Sequence, residues 1–166
     1  KKLKNSLNNY NINYSINLIK PKPLLAFIEP NAYISNYTPL EGKFTMGNTV
    51  ILNLAGKTDT LIIGNYQFYN SDFDINTSKF VNNPEVLASG IINSEQQKLA
   101  FLAPTEKLVF EGAWDKNKIV FNSRINQLNS DNSANLNGNI LFTDFGLDLQ
   151  FKNSSFDLLG NQWKIN

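Results

Sequence analysis

Apolar and polar residues alternate with a period of two along most of the chain, and this pattern leaves little room for any fold but a sheet. Tyr10, Ile12, Tyr14, Ile16 and Leu18 alternate with Asn11, Asn13, Ser15 and Asn17. Val50, Leu52 and Leu54 follow the same rule, as do Leu108, Phe110 and Trp114 around Gly112. Ala134, Leu136, Ile140 and Phe142 alternate with Asn135, Asn137 and Asn139, and Leu147, Leu149 and Phe151 with Asp148 and Gln150. Such strands carry one apolar and one wetted face, as antiparallel sheets do.

Turn-forming residues punctuate these runs. They are Gly47-Asn48, Gly56-Lys57, Gly64-Asn65, Asn70-Ser71-Asp72, Asn82-Asn83-Pro84, Asp115-Lys116-Asn117, Asn129 to Asn132, and Gly160-Asn161. A spacing of roughly ten residues predicts about a dozen strands in an all-β fold. A short helix is expected near residues 23–29, entered through Pro21 and Pro23, carrying Leu24, Leu25, Phe27 and Ile28, and stopped by Pro30. Ser94 to Lys98 is a weaker helical candidate, because it holds Glu95, Gln96 and Gln97. Residues 1–166 read as a single segment, since the linker-like Asn129–Asn132 is too short to separate domains.

Composition narrows the function classes. Hydrophobic residues make up 42%, aromatics 12% and charged residues 17%, which excludes a disordered chain. Net charge is +1, and the mild cluster Lys1, Lys2 and Lys4 lacks interleaved aromatics, so nucleic acid is not an expected partner. The chain has no Cys and no His, which removes disulfides, thiol chemistry and the commonest general base and metal ligand. No apolar run approaches the ~20 residues that span a bilayer. The chain begins without Met and closes on SSFDLLGNQWKIN, where a strand restarts at Trp163 and Ile165 after a turn. It reads as one stretch of a longer β protein.

Few residues suggest chemistry. Asp72 and Asp74 share one strand face and would suit a hard cation, but read more simply as solvated carboxylates around a buried Phe73. Asn129, Asp131 and Asn132 lack the bidentate Glu of a calcium loop. Trp114 and Trp163 would stack a sugar, although core packing is the default for Trp in strand alternation. The Asn-x-Ser/Thr triplets at Asn13, Asn36, Asn76 and Asn153 are expected by chance in an Asn-rich chain. No nucleophile–base pair, phosphate loop or metal cluster emerges, so neither enzyme activity nor a cofactor or metal is expected.

Six segments in order carry a family resemblance: FIEPNAYISNYTPLEGKF (27–44), DTLIIGNYQFYNSDFDINTSK (59–79), VLASGIINSEQQ (86–97), FEGAWDKNKIVF (110–121), NLNGNILF (135–142) and SSFDLLGNQWKI (154–165). Together they resemble the periplasmic β-rich region of TamB-like translocation and assembly proteins of Bacteroidetes, within the AsmA-like group. The resemblance covers most of residues 20–166. It implies an elongated, U-shaped β-sheet groove, a β-taco, whose trough is lined by apolar side chains. It also implies a periplasmic place in a protein anchored in the inner membrane and reaching the outer membrane. The implied partners are phospholipid acyl chains and, through regions outside this chain, an Omp85-type (TamA-like) barrel. The implied roles are phospholipid transport and outer-membrane protein assembly. Asp59-Thr60-Leu61 resembles the short O-glycosylation acceptor of Bacteroidetes, which would make Thr60 a modification site, although a turn before a strand explains the same residues.

Amphipathic strands must bury one face, either by closing on themselves or by leaving a groove for an apolar guest. Twelve strands in one ladder would make a trough on the order of 55 Å long. Its expected lining is Leu52, Leu54, Phe110, Trp114, Phe121, Leu136, Ile140, Phe142, Leu149, Phe151, Phe156 and Leu158. Two other readings use the same residues. One is a closed β-sandwich acting as an adhesin or carbohydrate-binding module. The other is a scaffold that contacts envelope proteins through its sheet edges.

Overall fold

The computed structural model describes residues 9–26, 29–100 and 102–165. These residues form one open antiparallel sheet of twelve strands. The strands are β1 (Tyr10–Leu18), β2 (Tyr33–Ile34), β3 (Thr38–Met46), β4 (Thr49–Ile63), β5 (Tyr66–Phe80) and β6 (Leu87–Lys98). They continue as β7 (Thr105–Asp115), β8 (Lys118–Gln127), β9 (Ser133–Thr143), β10 (Gly146–Phe151), β11 (Ser154–Leu158) and β12 (Asn161–Ile165). Ten of them follow one another as β1-β3-β4-β5-β6-β7-β8-β9-β11-β12, with β2 on β4 and β10 on β9 to the side. The ladder is therefore about 43 Å long at ~4.8 Å per step, shorter than a dozen strands in single file would give. One helical turn, α1 (Lys22–Leu25), falls where a helix is expected, but is shorter. Phe27, Ile28, the Leu24 side chain and the cluster Lys1, Lys2 and Lys4 lie outside the described residues.

Three sequence expectations are corrected. Ser94–Lys98 is not helical but the end of β6, where Gln96 and Gln97 pair with Glu106 and Thr105. Gly56-Lys57 is not a turn but the middle of β4, with Gly56 opposite Leu40 and Phe73. Asn70-Ser71-Asp72 lies inside β5, where Asn70 takes a left-handed φ of 47° without reversing the chain. Asn tolerates that conformation, and it bends a strand as readily as it closes a hairpin.

The bend is visible in the burial pattern. Thr58, Ser71, Ser94 and Leu108 lie opposite one another across β4 to β7. The next row that buries side chains on the inner side is Ile34, Leu61, Phe68, Gln97 and Thr105, displaced by three residues along each of those four strands rather than two. Thr58, Ser71, Ser94, Gln97 and Thr105 are all buried. The inward side of the sheet thus changes parity across this line, with Asn70 and Lys107 (φ 54°) absorbing the shift.

Small hydroxyl residues fill the inside of the bend and bond to one another. Ser35 Oγ lies 2.7 Å from Thr58 Oγ1. Thr38 Oγ1 donates to the Ser35 carbonyl at 2.8 Å. Ser94 Oγ donates to the Tyr69 carbonyl at 2.9 Å. Gln97 Nε2 donates to the Ser94 carbonyl at 2.7 Å, while its Oε1 accepts from Thr105 Oγ1 at 3.0 Å. Ser154 repeats the device after the left-handed Asn153, accepting from Asn137 N–H at 2.9 Å. Among the described residues, the Ser71 hydroxyl is the one buried side-chain polar group without a hydrogen-bond partner.

This asymmetry makes a prediction. Thr58→Val strands the hydroxyls around it and should lower unfolding stability by about 1–3 kcal/mol in urea titration. Ser71→Ala removes an unsatisfied group and should be neutral or stabilising. Equal losses in the two variants would refute the assignment of the seam as a hydrogen-bonded unit.

Candidate functional site: an open apolar face

Residues directly opposite in an antiparallel ladder point to the same face. Following the register across the sheet therefore sorts every side chain. One row reads Ile12, Phe44, Leu52, Thr77, Ala88, Trp114, Ile119, Ile140, Leu149. The next reads Tyr14, Gly42, Leu54, Ile75, Gly90, Gly112, Phe121, Gly138, Phe151. A third reads Ile16, Leu40, Gly56, Phe73, Ile92, Phe110, Ser123, Leu136. Phe142 lies one row beyond Ile140, and Phe156 pairs with Ala134 in β9, one row beyond Leu136, with Leu158 next to it in β11. All twelve expected lining residues thus share one face.

The rows between them form the other face. Asn13, Lys43, Asn53, Asn76 and Ser89 run opposite one another, as do Asp74, Ile91, Glu111, Asn122 and Asn137. Amide side chains link neighbouring strands there. Asn53 donates to Asn76, Asn93 Nδ2 to Asp72 at 2.8 Å, and Asn122 Nδ2 to Asn137 at 2.5 Å. Asp72 and Asp74 are exposed on this polar face, each accepting from an Asn amide, while Phe73 points to the apolar one.

The apolar face is not covered. Among the described hydrophobic residues only Ile34 and Phe121 are buried, whereas Trp114 is 47% and Leu149 52% exposed. The accessible surface is 11953 Å², while a compact chain of 18.7 kDa would show about 8,300 Å². The difference decides between a closed core and an open face: the sheet does not close. Trp114 and Trp163 are therefore not core residues as their alternation suggests; Trp163 is 62% exposed on the short β12.

Aromatic rings tile this face. Phe110 stacks on Phe121 with centroids 6.0 Å apart, Phe121 meets Phe151 edge-on at 6.4 Å, and Trp114 stacks on Phe142 at 5.7 Å. Rings also lie over three of the four glycines of the middle row, Gly42, Gly112 and Gly138. A Cβ at Gly138 would meet the Gln150 carbonyl and the Phe121 ring, and one at Gly42 would meet the Asn53 carbonyl and the Tyr14 hydroxyl. Aromatic cover of cross-strand glycine keeps the surface apolar where no side chain exists. Two apolar hollows mark the face. One of about 190 Å³ lies among Ile75, Ala88, Ile92, Phe110, Trp114 and Ile119. The other, of about 200 Å³, lies among Leu102, Ile125, Ala134, Phe156 and Leu158. A wider concavity of about 830 Å³ lies on the polar face among Asp74, Ile91, Glu111, Val120, Asn122 and Lys152.

Sequence reasoning missed several members of the apolar face. Ile75 was signalled by the continuing alternation Asp72-Phe73-Asp74-Ile75-Asn76. Ile92 and Ile119 sit in the doublets Ile91-Ile92 and Ile119-Val120, where alternation alone does not choose the inward residue. Thr60 does not follow a turn. It lies within β4, half-buried, with its carbonyl accepting from Ser35 N–H at 2.9 Å.

The close approach at Gly138 is testable: Gly138→Ala should destabilise the sheet by about 1–3 kcal/mol in chemical denaturation, because backbone rather than a flexible tip must yield. Stability equal to the parent chain would show that the Phe121 and Gln150 positions relax freely.

Comparison with known proteins found no matching family model, no matching curated protein and no matching solved structure.

Proposed function

We propose that the chain is a section of a hydrophobic groove that holds phospholipid acyl chains, a carrier rather than a catalyst. The observation that carries this reading is the contiguous apolar face, which runs from Ile12 in β1 to Leu149 in β10 and stays open to solvent. Soluble monomers rarely leave so large an apolar patch bare. Each acyl CH₂ moved from water onto it gains about 0.8 kcal/mol, so a few methylenes from each chain suffice for useful affinity. The resemblance of the ordered segments to TamB-like proteins supports the same reading. On it, the segment works in the periplasm as part of a protein anchored in the inner membrane, passes phospholipid towards the outer membrane or supports outer-membrane protein assembly there, and meets an Omp85-type barrel through other regions. The closed β-sandwich reading requires a second packed sheet, and the described residues form one open sheet.

Photo-crosslinkers at Leu136, Phe142 and Leu149 should label phospholipid in cells, with Asn137 on the polar face as control. Equal labelling at all four positions would sink the groove. A charge on the apolar face should also act differently from one on the polar face. Leu149→Asp places a carboxylate where acyl chains would lie, and Gln150→Asp places it on the opposite side. The first should impair outer-membrane integrity and the second should not, at matched expression of the whole protein. Indistinguishable phenotypes would argue against lipid passage along this face.

A further inference from the structure

We propose that the hollow spanning β5 to β8 seats the methyl-end segment of one acyl chain, and that Ala88 and Gly90 are the residues whose small size admits it. The inference rests on the reading of the apolar face as an acyl-chain groove, and fixes one position along it. Ile75, Gly90, Gly112 and Phe121 lie opposite one another in the middle row, and Thr77, Ala88, Trp114 and Ile119 in the row beside it. Two facing glycines and an alanine next to them leave a gap among larger side chains. A ring covers Gly112, whereas the atoms nearest to a Cβ at Gly90 are the Asp74 carbonyl and Ile75. The result is the hollow of about 190 Å³, walled by Ile75, Ile92, Phe110, Trp114 and Ile119.

The aromatic walls are held in place before a guest arrives. Phe110 stacks on Phe121 at 6.0 Å and Trp114 on Phe142 at 5.7 Å. Trp114 Nε1 also donates to the Lys116 carbonyl at 2.7 Å. That bond engages the one side-chain N–H of the walls, so a phosphate or an ester oxygen finds no free side-chain donor here. Water fares no better, since it needs two to four polar partners to stay. An apolar cavity of about 150 Å³ lined by Leu, Ile and Phe stays dry and takes a benzene-sized guest, and this hollow has similar size and lining. The second hollow of the face differs, because Gln127, Asn132 and Ser133 line it beside the apolar residues. The volume near Gly90 exceeds a methyl group and falls short of a whole chain. The carbons farthest from the ester enter it without bringing an oxygen along, and a chain end enters without having to leave again. Walls that need no rearrangement spare the guest an ordering cost.

The test reads the fluorescence of Trp114, with Trp163→Phe removing the other tryptophan of the chain. The probes are lysophosphatidylcholines below their micelle concentration, brominated either near the methyl end or near the ester of the acyl chain. Bromine quenches indole on contact, so the methyl-end probe should quench Trp114 more strongly than the ester-end probe. Ala88→Leu fills the hollow from its side, on an open face where no core is disturbed. It should raise the dissociation constant of the methyl-end probe about tenfold, the equivalent of about two buried methylenes. Circular dichroism checks that this variant remains β, and the comparison of bromine positions needs no substitution in the hollow. Probe retained by the chain on gel filtration but quenching equally from both positions, or bound undiminished by Ala88→Leu, would overturn the seat and leave the groove standing. A chain that retains no probe would overturn both.

Discussion

The main-chain ladder is what the rest of this structure depends on. With two buried hydrophobic residues among those described, core packing cannot be the principal source of cohesion. Long strand pairs take that role, the longest running from Thr49↔Phe80 to Ile63↔Tyr66 between β4 and β5, with one gap at Asp59 and Asn70. Surface electrostatics adds little: Lys107–Glu106 and Lys116–Glu85 both join solvent-accessible side chains. Main-chain pairing in the ladder joins only adjacent strands, so stability accumulates largely strand by strand as in repeat proteins. Such a sheet loses little by being open, and its length is set by strand number rather than by the volume of a core.

An open sheet must still bend, and the bend explains where the buried polar groups sit. On the inside of the bend the fully enclosed positions are small hydroxyl residues, Thr38, Thr58, Ser71, Ser94 and Ser154. Their hydroxyls bond to carbonyls and to each other, so these buried groups are mostly satisfied rather than costly. Gln97 is the one long side chain enclosed there, and both ends of its amide are engaged. The glycines of the middle row solve a different problem. They let Tyr14 and Phe121 lie flat against the backbone, so the apolar face stays smooth.

Sheet character and the identity of the lining were legible because both follow from period-two alternation. Leu52, Phe110, Leu136 and Leu149 are assigned to one face by parity alone, and the register places them there. Strand length was not legible, because Gly56 and Asn70 carry the local chemistry of turns. Which way they act depends on partners far along the chain: Gly56 is sandwiched between Leu40 and Phe73, and Asn70 hydrogen-bonds to Glu95. Ser94–Lys98 fails as a helix for the same reason, since a few helix-favouring residues are outweighed by two flanking strands. The openness of the face had no sequence signal either. The same alternation serves a sandwich, a barrel or a trough, and only the strand order separates them.

The composition of the polar face completes the logic. Where Lys and Glu would be usual on a wetted sheet, Asn dominates: Asn53 and Asn76, Asn122 and Asn137, Asn93 beside Asp72. Like charges directly opposite one another destabilise a ladder, and a sheet without a core has little stability to give up. A neutral amide is both donor and acceptor, so it cross-links neighbouring strands in either orientation and leaves the face wet. One side is thus cross-linked by amide hydrogen bonds, while the other carries rings and aliphatic tips. An apolar guest that meets this sheet has one face to choose, and that face was prepared by alternation, by ring-covered glycines and by a bend that hides its own polar atoms.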